Sequence, residues 1–346
     1  MPLTLDSAPD SHSALLVSVA LCTHNGVRFI GEQIQSICQQ STLPTQIVVS
    51  DDASGDNCVE LIQSAIADWE KKQPQEQPKK LLQLHIFRNS VPLKVTKNFE
   101  QAVLACTGDL IALCDQDDIW HPERLARMTA EFEQRPGLLL LHSNAQLIDG
   151  DGLGLPGSLF DALEVQPFEL QWIHQQRAFD VLLRRNLVTG ATTVFRRSLL
   201  KFALPFPKEW LHDEWLAMVA AAMAGLDVLE DPLIDYRQHA SNQIGARRET
   251  LVAKVRKAFG SRDHTLADRA LKIEILLTRL REFGGLIPSA VVEKVQMKLV
   301  HQRFRAALPK SRLARCLPVL REAATGRYNQ FGRGFHSIAR DLFESA

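Results

Sequence analysis

Segments of strand length alternate with segments of helical periodicity through the first 115 residues of this 346-residue chain. The apolar runs of strand length cover 14–23, 45–52, 81–87 and 109–115. The segments with apolar residues at helical spacing cover 29–40, 57–72 and 95–106. Continuous apolar runs are typical of strands buried on both faces. The alternation therefore predicts an α/β fold with a parallel, doubly wound sheet and helices on both faces.

The second half of the chain has a less regular pattern. It predicts a strand over 137–149, a Gly-rich loop over 150–160, and a strand with a short helix over 187–200. A helix over 212–225 and one or two short strands over 226–239 follow, and the pattern is helical after about residue 247. We therefore expect three units, namely a disordered tail over 1–13, an α/β domain over 14–246 and a helical extension over 247–346.

Charge is unevenly distributed along the chain. The formal net charge is zero, but residues 251–346 hold 19 Lys and Arg against 8 Asp and Glu, whereas the first 250 residues hold 21 against 32. A basic extension on an acidic body indicates two modules. The extension has amphipathic stretches over 270–283 and 301–323, which fit either helices packed on the body or a peripheral contact with anionic membrane. Nucleic acid is not an expected partner, because the extension has few aromatic residues and no binding motif.

The cysteines and the N-terminus bear on the compartment. The cysteines are Cys22, Cys38, Cys58, Cys106, Cys114 and Cys316. They show no C-x-x-C spacing and several lie in apolar segments, which predicts reduced and mostly buried thiols. The N-terminus lacks the basic and apolar regions of a secretory signal, and no run approaches 18 apolar residues. We expect a cytoplasmic protein, with peripheral attachment to the inner face of the plasma membrane left open.

Polar side chains follow three of the predicted strands at the point where each strand ends. Thr23-His24-Asn25 follows the first, Asp51-Asp52 the second, and Asp115-Gln116-Asp117-Asp118 the fourth. In doubly wound sheets, ligands bind at the carboxyl ends of the strands. Clustered carboxylates at such an edge suit Mg²⁺ or Mn²⁺, which take oxygen ligands and share them with substrate phosphates.

Simpler interpretations of these acids are open at this point. Asp117 or Asp118 has the residue type of a cap for a helix that starts near His121-Pro122. Asp51-Asp52 belongs to "SDDASGDN", which is also a good turn sequence. Asp213 lies near the start of a predicted helix, where the helix dipole favours a carboxylate.

Four stretches in order resemble the family 2 glycosyltransferases over about residues 14–245. They are "VSVALCTHNGVRFIGEQIQSICQQS", "QIVVSDDASGDN", "KNFEQAVLACTGDLIALCDQDDIWHPERL" and "HDEWLAMVAAAMAG…DYRQHASNQIG". Within the family, D-Q-D-D-I-W and Y-R-Q-H resemble the bacterial rhamnosyltransferase-like enzymes of surface polysaccharide synthesis. The resemblance implies the GT-A fold, a Rossmann-like mixed sheet with helices on both faces, here followed by the helical extension.

The resemblance also implies a set of residues that bind a nucleoside diphosphate sugar donor. Thr23, His24 and Asn25 would lie against the nucleotide, and Asp51 or Asp52 would bind its base. Lys97 and Asn98 would correspond to a pair near the donor, and Asp115 would face the ribose. The implied acceptor is a hydroxyl of a glycan or a lipid-linked glycan.

Three residues carry the implied chemistry. Asp117 would bind the divalent cation that bridges the diphosphate, and His239 would be a further metal or diphosphate contact. Asp213 would be the general base that removes the proton of the acceptor hydroxyl, with inversion at the anomeric carbon. The cation would stabilise the charge of the leaving diphosphate.

Two positions depart from the family pattern. The family commonly has an acid just before the base, whereas this chain has His212. The usual Gly before the Lys97-Asn98 pair is replaced by Val91-Pro92-Leu93. This departure weakens the transfer of the family's donor-binding role to Lys97 and Asn98. The alternative functions are a sugar nucleotidyltransferase, which normally opens with a Gly-rich phosphate loop that "CTHNGVRF" lacks, and a non-catalytic nucleotide-sugar-binding scaffold.

Overall fold

The computed structural model describes residues 14–73, 82–239 and 263–343. The predicted disordered tail over 1–13 lies outside the described residues, and so does the predicted boundary at 246–247. All six cysteines are described and are free thiols, and four of them are buried, as expected.

The described residues form one nine-stranded sheet at the centre of the fold. The strands are β1 Val17–Thr23, β2 Gln46–Asp51, β3 Gln83–Arg88, β4 Leu110–Cys114, β5 Ile119–Trp120, β6 Leu140–Ile148, β7 Gly154–Ser158, β8 Thr193–Arg196 and β9 Leu226–Arg237. Their order is β3-β2-β1-β4-β8-β6-β9-β5, and β7 pairs with β6. The chain order therefore reverses between β1 and β4, which is the switch point of a doubly wound sheet.

Helices lie on both faces of the sheet. In the α/β domain they are α1 Ile30–Cys38, α2 Cys58–Lys72, α3 Lys94–Ala105, α4 Arg124–Gln134, α5 Leu159–Ala162, α6 Pro167–Trp172, α7 Ala178–Arg184, α8 Leu200–Ala203 and α9 His212–Ala222. In the extension they are α10 Asp263–Glu282, α11 Ser289–Ala306, α12 Arg312–Ala324, α13 Arg327–Phe331 and α14 Phe335–Phe343.

Two apolar layers form the core, one on each face of the sheet. Successive residues of β1 point to opposite faces, so Ala20 joins the layer with α3 and α9, while Val19 and Leu21 join the layer with α1 and α2. Both faces of the strand are thus buried, which explains the continuous apolar runs that predicted it.

The sheet is mixed, whereas the strand–helix alternation alone predicts a parallel one. β1 pairs in parallel with β2 and β4, and β2 pairs in parallel with β3. β8 then pairs antiparallel with both β4 and β6. The loop predicted over 150–160 is wrong, because β7 and the start of α5 occupy it. Its glycines weaken the local strand pattern, and pairing with β6 overrides it.

The helical extension packs against the α/β domain. Leu276 and Leu280 of α10 are fully buried in the same layer as Trp215 of α9. Trp210 Nε1 donates a hydrogen bond to the Lys272 carbonyl at 3.2 Å, and Arg279 Nη1 donates to the Leu204 carbonyl at 2.7 Å. Of the two interpretations of the stretch over 270–283, the structure therefore favours a helix packed on the α/β domain.

Replacement of Leu276 by alanine tests this packing. We expect Leu276→Ala to lower the free energy of unfolding by about 2–5 kcal/mol, because it leaves a cavity in the core. Leu271→Ala, on the exposed side of the same helix, should change it by about 0.5 kcal/mol or less. Urea unfolding followed by tryptophan fluorescence measures both. Equal effects of the two substitutions would contradict the docking of α10.

Candidate active site

Three parallel strands bring their polar carboxyl ends to one edge of the sheet. Thr23 at the end of β1 is in register with Asp51 at the end of β2. Leu21 of β1 is in register with Cys114, so Asp115 follows β4 at the same level. The predicted site residues on these strands therefore lie together at the switch point, where ligands bind in doubly wound sheets.

Asp51 is buried and held by the hydroxyl groups around it. Its Oδ1 accepts hydrogen bonds from Thr23 Oγ1 at 2.8 Å and from Ser54 Oγ at 2.5 Å. Its Oδ2 accepts from the Ser54 amide at 3.1 Å. The carboxylate is therefore fixed in one orientation, because each of its oxygens has a hydrogen-bond donor.

The segment after β1 is bound to the segment after β4. Gln116 accepts a hydrogen bond from the His24 amide at 2.8 Å and donates to the His24 carbonyl at 3.1 Å. A β-carbon on Gly26 would lie 2.3 Å from Gln116 Oε1, so only glycine allows this approach. Asn25 has a φ of 51° and its Oδ1 accepts from the Gly55 amide at 2.8 Å. These contacts join three strand ends into one surface.

The Asp52 carboxylate holds the start of α3. It accepts hydrogen bonds from the Leu93 amide at 2.5 Å and the Lys94 amide at 3.0 Å. Lys94 has a φ of 67°, a backbone conformation that residues other than glycine rarely adopt. Asp52 therefore has a clear structural role in this loop, and Asp51 is the carboxylate bonded to the end of β1.

Lys97 and Asn98 are engaged in contacts within the protein. Lys97 Nζ donates to Glu100 and to the Phe206 carbonyl, each at 2.9 Å. Asn98 is buried, and its Nδ2 donates to the Ser50 carbonyl at 2.9 Å. Their predicted donor-binding roles stay predictions. The contacts agree with the departure from the family pattern just before this pair.

The acidic motif after β4 meets the end of β9. Asp117 Oδ2 lies 2.8 Å from His239 Nε2, although 122 residues separate them. Asp118 Oδ1 accepts a hydrogen bond from the Arg237 amide at 3.0 Å, and Arg237 Nε donates to the Asp117 carbonyl at 2.8 Å. The two motifs that carried the subgroup resemblance therefore form one structural unit.

Negative charge is concentrated in this unit. Burial, together with the nearby charges of Asp117 and Asp213, raises the pKa of the Asp115 carboxyl to about 7. Burial, with the charges of Asp117 and Asp115, also raises the pKa of Asp118, whose Oδ2 has no hydrogen-bond partner among the described residues. A cation bound here would offset the mutual repulsion of these carboxylates.

Asp213 lies in the first turn of α9, opposite Gly190. Its Oδ2 accepts a hydrogen bond from the Gly190 amide at 2.8 Å, and its Oδ1 accepts from the Glu214 amide at 2.7 Å. A β-carbon on Gly190 would lie 3.5 Å from Asp213 Oδ2 and 3.1 Å from His212 Nε2. Burial raises the pKa of Asp213 above its usual value, although these two backbone hydrogen bonds oppose the rise. The carboxylate is thus rigidly held, and its charge acts on Asp115.

His212 is a core residue and explains one departure from the family pattern. Its ring is buried and stacks on Phe99 with centroids 3.7 Å apart. Burial lowers the pKa of His212 to about 3, and neither ring nitrogen has a hydrogen-bond partner among the described residues. The imidazole is therefore neutral at neutral pH and adds no charge beside Asp213.

Sequence reasoning missed Arg237 and Gln116. Arg237 is buried, lies over the Phe29 ring at 4.8 Å and pairs with Glu32 Oε2 at 2.5 Å. It connects the acidic motif, β9 and α1. Both residues belong to the motifs quoted above, and an arginine at the end of a predicted buried strand could have indicated a paired, structural cation.

Asp117 and His239 are suited to hold a divalent cation together with a substrate. Both side chains are largely buried and converge on each other. No group of three or more His, Cys, Asp or Glu side chains suited to a metal occurs in the ranges that the structure describes. The pair would offer a cation two ligands, and the remaining positions would suit phosphate oxygens and water, as is common for Mg²⁺.

An open α/β sheet of this order, with an acidic motif at the switch point, is that of a GT-A nucleotide-sugar transferase. Residues 18–201 match the family described as glycosyl transferase family 2, and the chain belongs to this family. The sugar nucleotidyltransferase alternative does not fit this membership. The GT-A fold predicted from the motifs is confirmed.

Relatives and solved structures agree with the family. An uncharacterized glycosyltransferase of Nostoc is 24% identical over 232 residues, which cover 65% of this chain and 66% of the relative. An uncharacterized protein of Mycobacterium bovis is 25% identical over 230 residues, which span 65% of this chain and only 59% of the relative. Staphylococcus aureus TarS, residues 1–349 in complex with UDP-GlcNAc, is 18% identical with a TM-score of 0.53, covering 84% of this chain and 73% of TarS.

Proposed function

We propose that this glycosyltransferase moves a sugar from a nucleoside diphosphate donor to a hydroxyl of a glycan or lipid-linked glycan, with inversion and with a divalent cation as cofactor. The observation that carries the proposal is the meeting of Asp117 with His239 at the strand edge that also holds Asp115 and, across from it, Asp213. A candidate cation-ligand pair and a candidate base therefore both lie within electrostatic range of Asp115.

The donor is a nucleoside diphosphate sugar bound along the carboxyl ends of β1, β2 and β4. The fixed carboxylate of Asp51 suits hydrogen bonds from a base, and Asp115 suits the ribose hydroxyls. TarS, which has the same fold, is described in complex with such a donor, UDP-GlcNAc.

Among nucleoside diphosphate sugars, the D-Q-D-D-I-W and Y-R-Q-H motifs favour L-rhamnose as the sugar and surface polysaccharide synthesis as the setting. A screen of UDP-, GDP- and dTDP-sugars tests the choice.

Asp117 and His239 would hold Mg²⁺ or Mn²⁺. When bound there, the cation supplies Lewis-acid stabilisation of the charge that develops on the leaving diphosphate. Arg237 fixes the backbone of Asp117 through the hydrogen bond to its carbonyl. The ligand pair is therefore oriented by contacts that do not depend on the substrate.

Asp213 acts as the general base. Its carboxylate is held by the Gly190 and Glu214 amides and lies within electrostatic range of Asp115. An acceptor hydroxyl is a poor nucleophile, so a positioned carboxylate that removes its proton accelerates the attack. A base across the sugar from the leaving diphosphate gives inversion at the anomeric carbon, by the geometry known from inverting glycosidases.

A leucine stripe on α12 supports a peripheral place at the cytoplasmic face of the membrane. Leu313, Leu317 and Leu320 are 86%, 57% and 61% exposed and lie on one face of the helix. On the opposite face, Arg315 and Glu322 are buried. This is the reverse of an ordinary surface helix, which buries its apolar side.

Buried polar contacts keep α12 in this orientation. Arg315 Nη2 donates to the Lys310 carbonyl at 2.9 Å, and Glu322 Oε1 lies 2.7 Å from His301 Nδ1 of α11. Rotation of the helix to bury its leucines would break these contacts and leave Arg315 and Glu322 without their partners. The leucine stripe is thus held outward by the fold.

An anionic bilayer is the partner that fits the leucine stripe. Arg312 and Arg321 are exposed, and helical spacing places them on either side of the leucines. An apolar face flanked by cations is typical of a helix that lies in the interface of an anionic membrane. Among the described residues, no helix is long and apolar enough to cross a bilayer. A surface position would bring the enzyme to a lipid-linked acceptor.

Replacement of Asp117 tests the cation site. We expect Asp117→Ala to abolish the gain in nucleoside diphosphate affinity that Mn²⁺ gives the wild type, because one of two protein ligands is lost. Calorimetry should use whichever of UDP, GDP and dTDP binds the wild type most tightly. The wild type in EDTA should bind like the variant in Mn²⁺, and Asp231→Ala, an exposed carboxylate elsewhere, should keep the gain. An unchanged Mn²⁺ effect in Asp117→Ala would contradict the assignment.

Replacement of Asp213 separates binding from chemistry. Asp213→Asn keeps an oxygen that can accept from the Gly190 amide but has no basic carboxylate. We expect donor affinity within about twofold of the wild type and a transfer rate about 10²–10⁴-fold lower. Transfer is followed with radiolabelled donor, and NMR of the wild-type product gives its anomeric configuration. Full transfer by Asp213→Asn, or a retained configuration, would rule out this base.

Vesicle flotation tests the leucine stripe. We expect the full chain to float with phosphatidylglycerol vesicles, and the Leu313→Ser/Leu317→Ser/Leu320→Ser variant to bind at least about tenfold more weakly, since each buried leucine contributes about 1.5 kcal/mol or more. A control with Val91→Ser/Leu104→Ser/Leu153→Ser removes as many exposed apolar side chains outside the extension. Equal flotation of all three proteins would contradict the membrane contact. So would loss of a wild-type dimer in the stripe variant, because a second copy would then cover the stripe.

A further inference from the structure

A cavity of about 1100 Å³ lies between the α/β domain and the helical extension. Its lining includes Arg184 at the end of α7, Glu214 of α9, Lys272 of α10, Lys298 of α11 and Arg340 of α14. None of these residues belongs to the donor site described above. The volume is that of a pocket for a ligand of substrate size.

The cavity is strongly cationic. Eight of its lining residues are Lys or Arg and only two are Glu, namely Glu164 and Glu214. Glu169 and Asp341 pair with Arg185 and Arg305, and Lys272 pairs with Glu214 at 2.9 Å. Arg333 pairs with Glu164 at 3.6 Å, so both Glu side chains of the lining are paired. Among the described residues, Arg184 and Lys298 of the lining have no carboxylate within ion-pair distance. Like charges gathered around a cavity are stabilised by an anion within it.

Lys298 shows the strain of this arrangement. It is only 9% exposed, and its ammonium donates to the Leu183 carbonyl. Burial, with the charges of Arg269 and Arg305 and against that of Glu214, lowers the pKa of Lys298 to about 8. Gln302, one turn further along α11, is also buried and lines the cavity, and its Oε1 has no hydrogen-bond partner among the described residues. A buried ammonium held by one carbonyl and a buried amide oxygen thus both line this space.

The cavity adjoins the proposed base. Glu214, which lines it, follows Asp213 directly at the start of α9. The charge of Lys272 lowers the pKa of Asp213, against the rise caused by burial, so the two side chains are within electrostatic range. A molecule bound in the cavity would therefore lie beside the group that activates the acceptor.

The other end of the cavity belongs to the outer part of the extension. Phe343 and His336 of α14 line it, and Phe343 is among the exposed apolar side chains of the extension, together with Phe335. An acceptor that carries an apolar chain would find both cationic and apolar surface here. α14 also packs against α12, which carries the leucine stripe that we assign to the membrane.

We propose that this cationic cavity binds the phosphate groups of the acceptor, so that the acceptor is a phosphorylated glycan or glycolipid. Lysine and arginine donate charge-assisted hydrogen bonds to phosphate oxygens, and arginine does so with two donors at once. The inference rests on the proposed transfer reaction for the identity of the ligand as acceptor. It does not depend on the assignment of the donor site.

Binding of inorganic pyrophosphate in EDTA is the direct test. EDTA removes the cation on which diphosphate binding at Asp117 is expected to depend. We expect wild-type binding by calorimetry, and affinities at least about tenfold lower for Lys298→Met and Arg184→Gln, since each removes a charged donor. Arg184 is only partly buried, and its Nε has no hydrogen-bond partner among the described residues, so Arg184→Gln decides the question if Lys298→Met fails to fold. Arg312→Gln, an exposed cation on α12, should bind pyrophosphate like the wild type.

Two further measurements distinguish failure of the proposed phosphate site from failure of the proposed transfer reaction. Nucleoside diphosphate binding with Mn²⁺ should be unchanged in Lys298→Met and Arg184→Gln; its absence in the wild type would contradict the proposed function and leave the pyrophosphate result intact. Wild-type pyrophosphate affinity in both variants would overturn the phosphate site.

Vesicles that contain phosphatidic acid distinguish the source of phosphate. Weaker binding of the variants to these vesicles supports a lipid-borne phosphate, and a loss confined to pyrophosphate supports a soluble phosphorylated acceptor.

Discussion

The repulsion among carboxylates at the carboxyl edge of the sheet is the interaction on which the site depends. Asp115, Asp117 and Asp213 converge there, and burial prevents water from screening them fully. Such a cluster lowers stability unless its charge is matched, so the fold holds it in place by other means. Arg237 does this with hydrogen bonds to the Asp117 carbonyl and the Asp118 carboxylate and with an ion pair to Glu32 of α1. The charge that remains is available for a ligand.

The backbone around the cluster supplies rigidity where side-chain cations are few. Amides rather than cations hold Asp213 and Asp52. Amide donors orient a carboxylate without neutralising it and favour its ionised form, which keeps the cluster anionic. His212 follows the same logic, since a neutral ring stacked on Phe99 adds no charge that would pair with the neighbouring Asp213. The site is thus preorganised for a cation and for a proton acceptor.

The parts of this site that the sequence predicts are those set by local pattern. Buried parallel strands have continuous apolar runs, so the ends of β1, β2 and β4 and the acids that follow them are readable from the chain. The antiparallel β8 is only four residues long, and its place depends on pairing partners far away in sequence. The roles of Asp52 and Asn98 depend on contacts 41 and 48 residues away, which no periodicity encodes.

The extension shows why hydrophobic pattern alone does not decide which face of a helix is buried. The apolar stretch over 301–323 fits a packed helix as well as a membrane contact. Ion pairs decide between them, because Arg305 binds Asp341 through two hydrogen bonds and Glu322 contacts His301 in the interior of the extension. Once charges occupy the inside, the leucines of α12 must face out. Arg305, one of these buried charges, also lines the cationic cavity, so the polar interior of the extension borders both the outward leucines and that cavity.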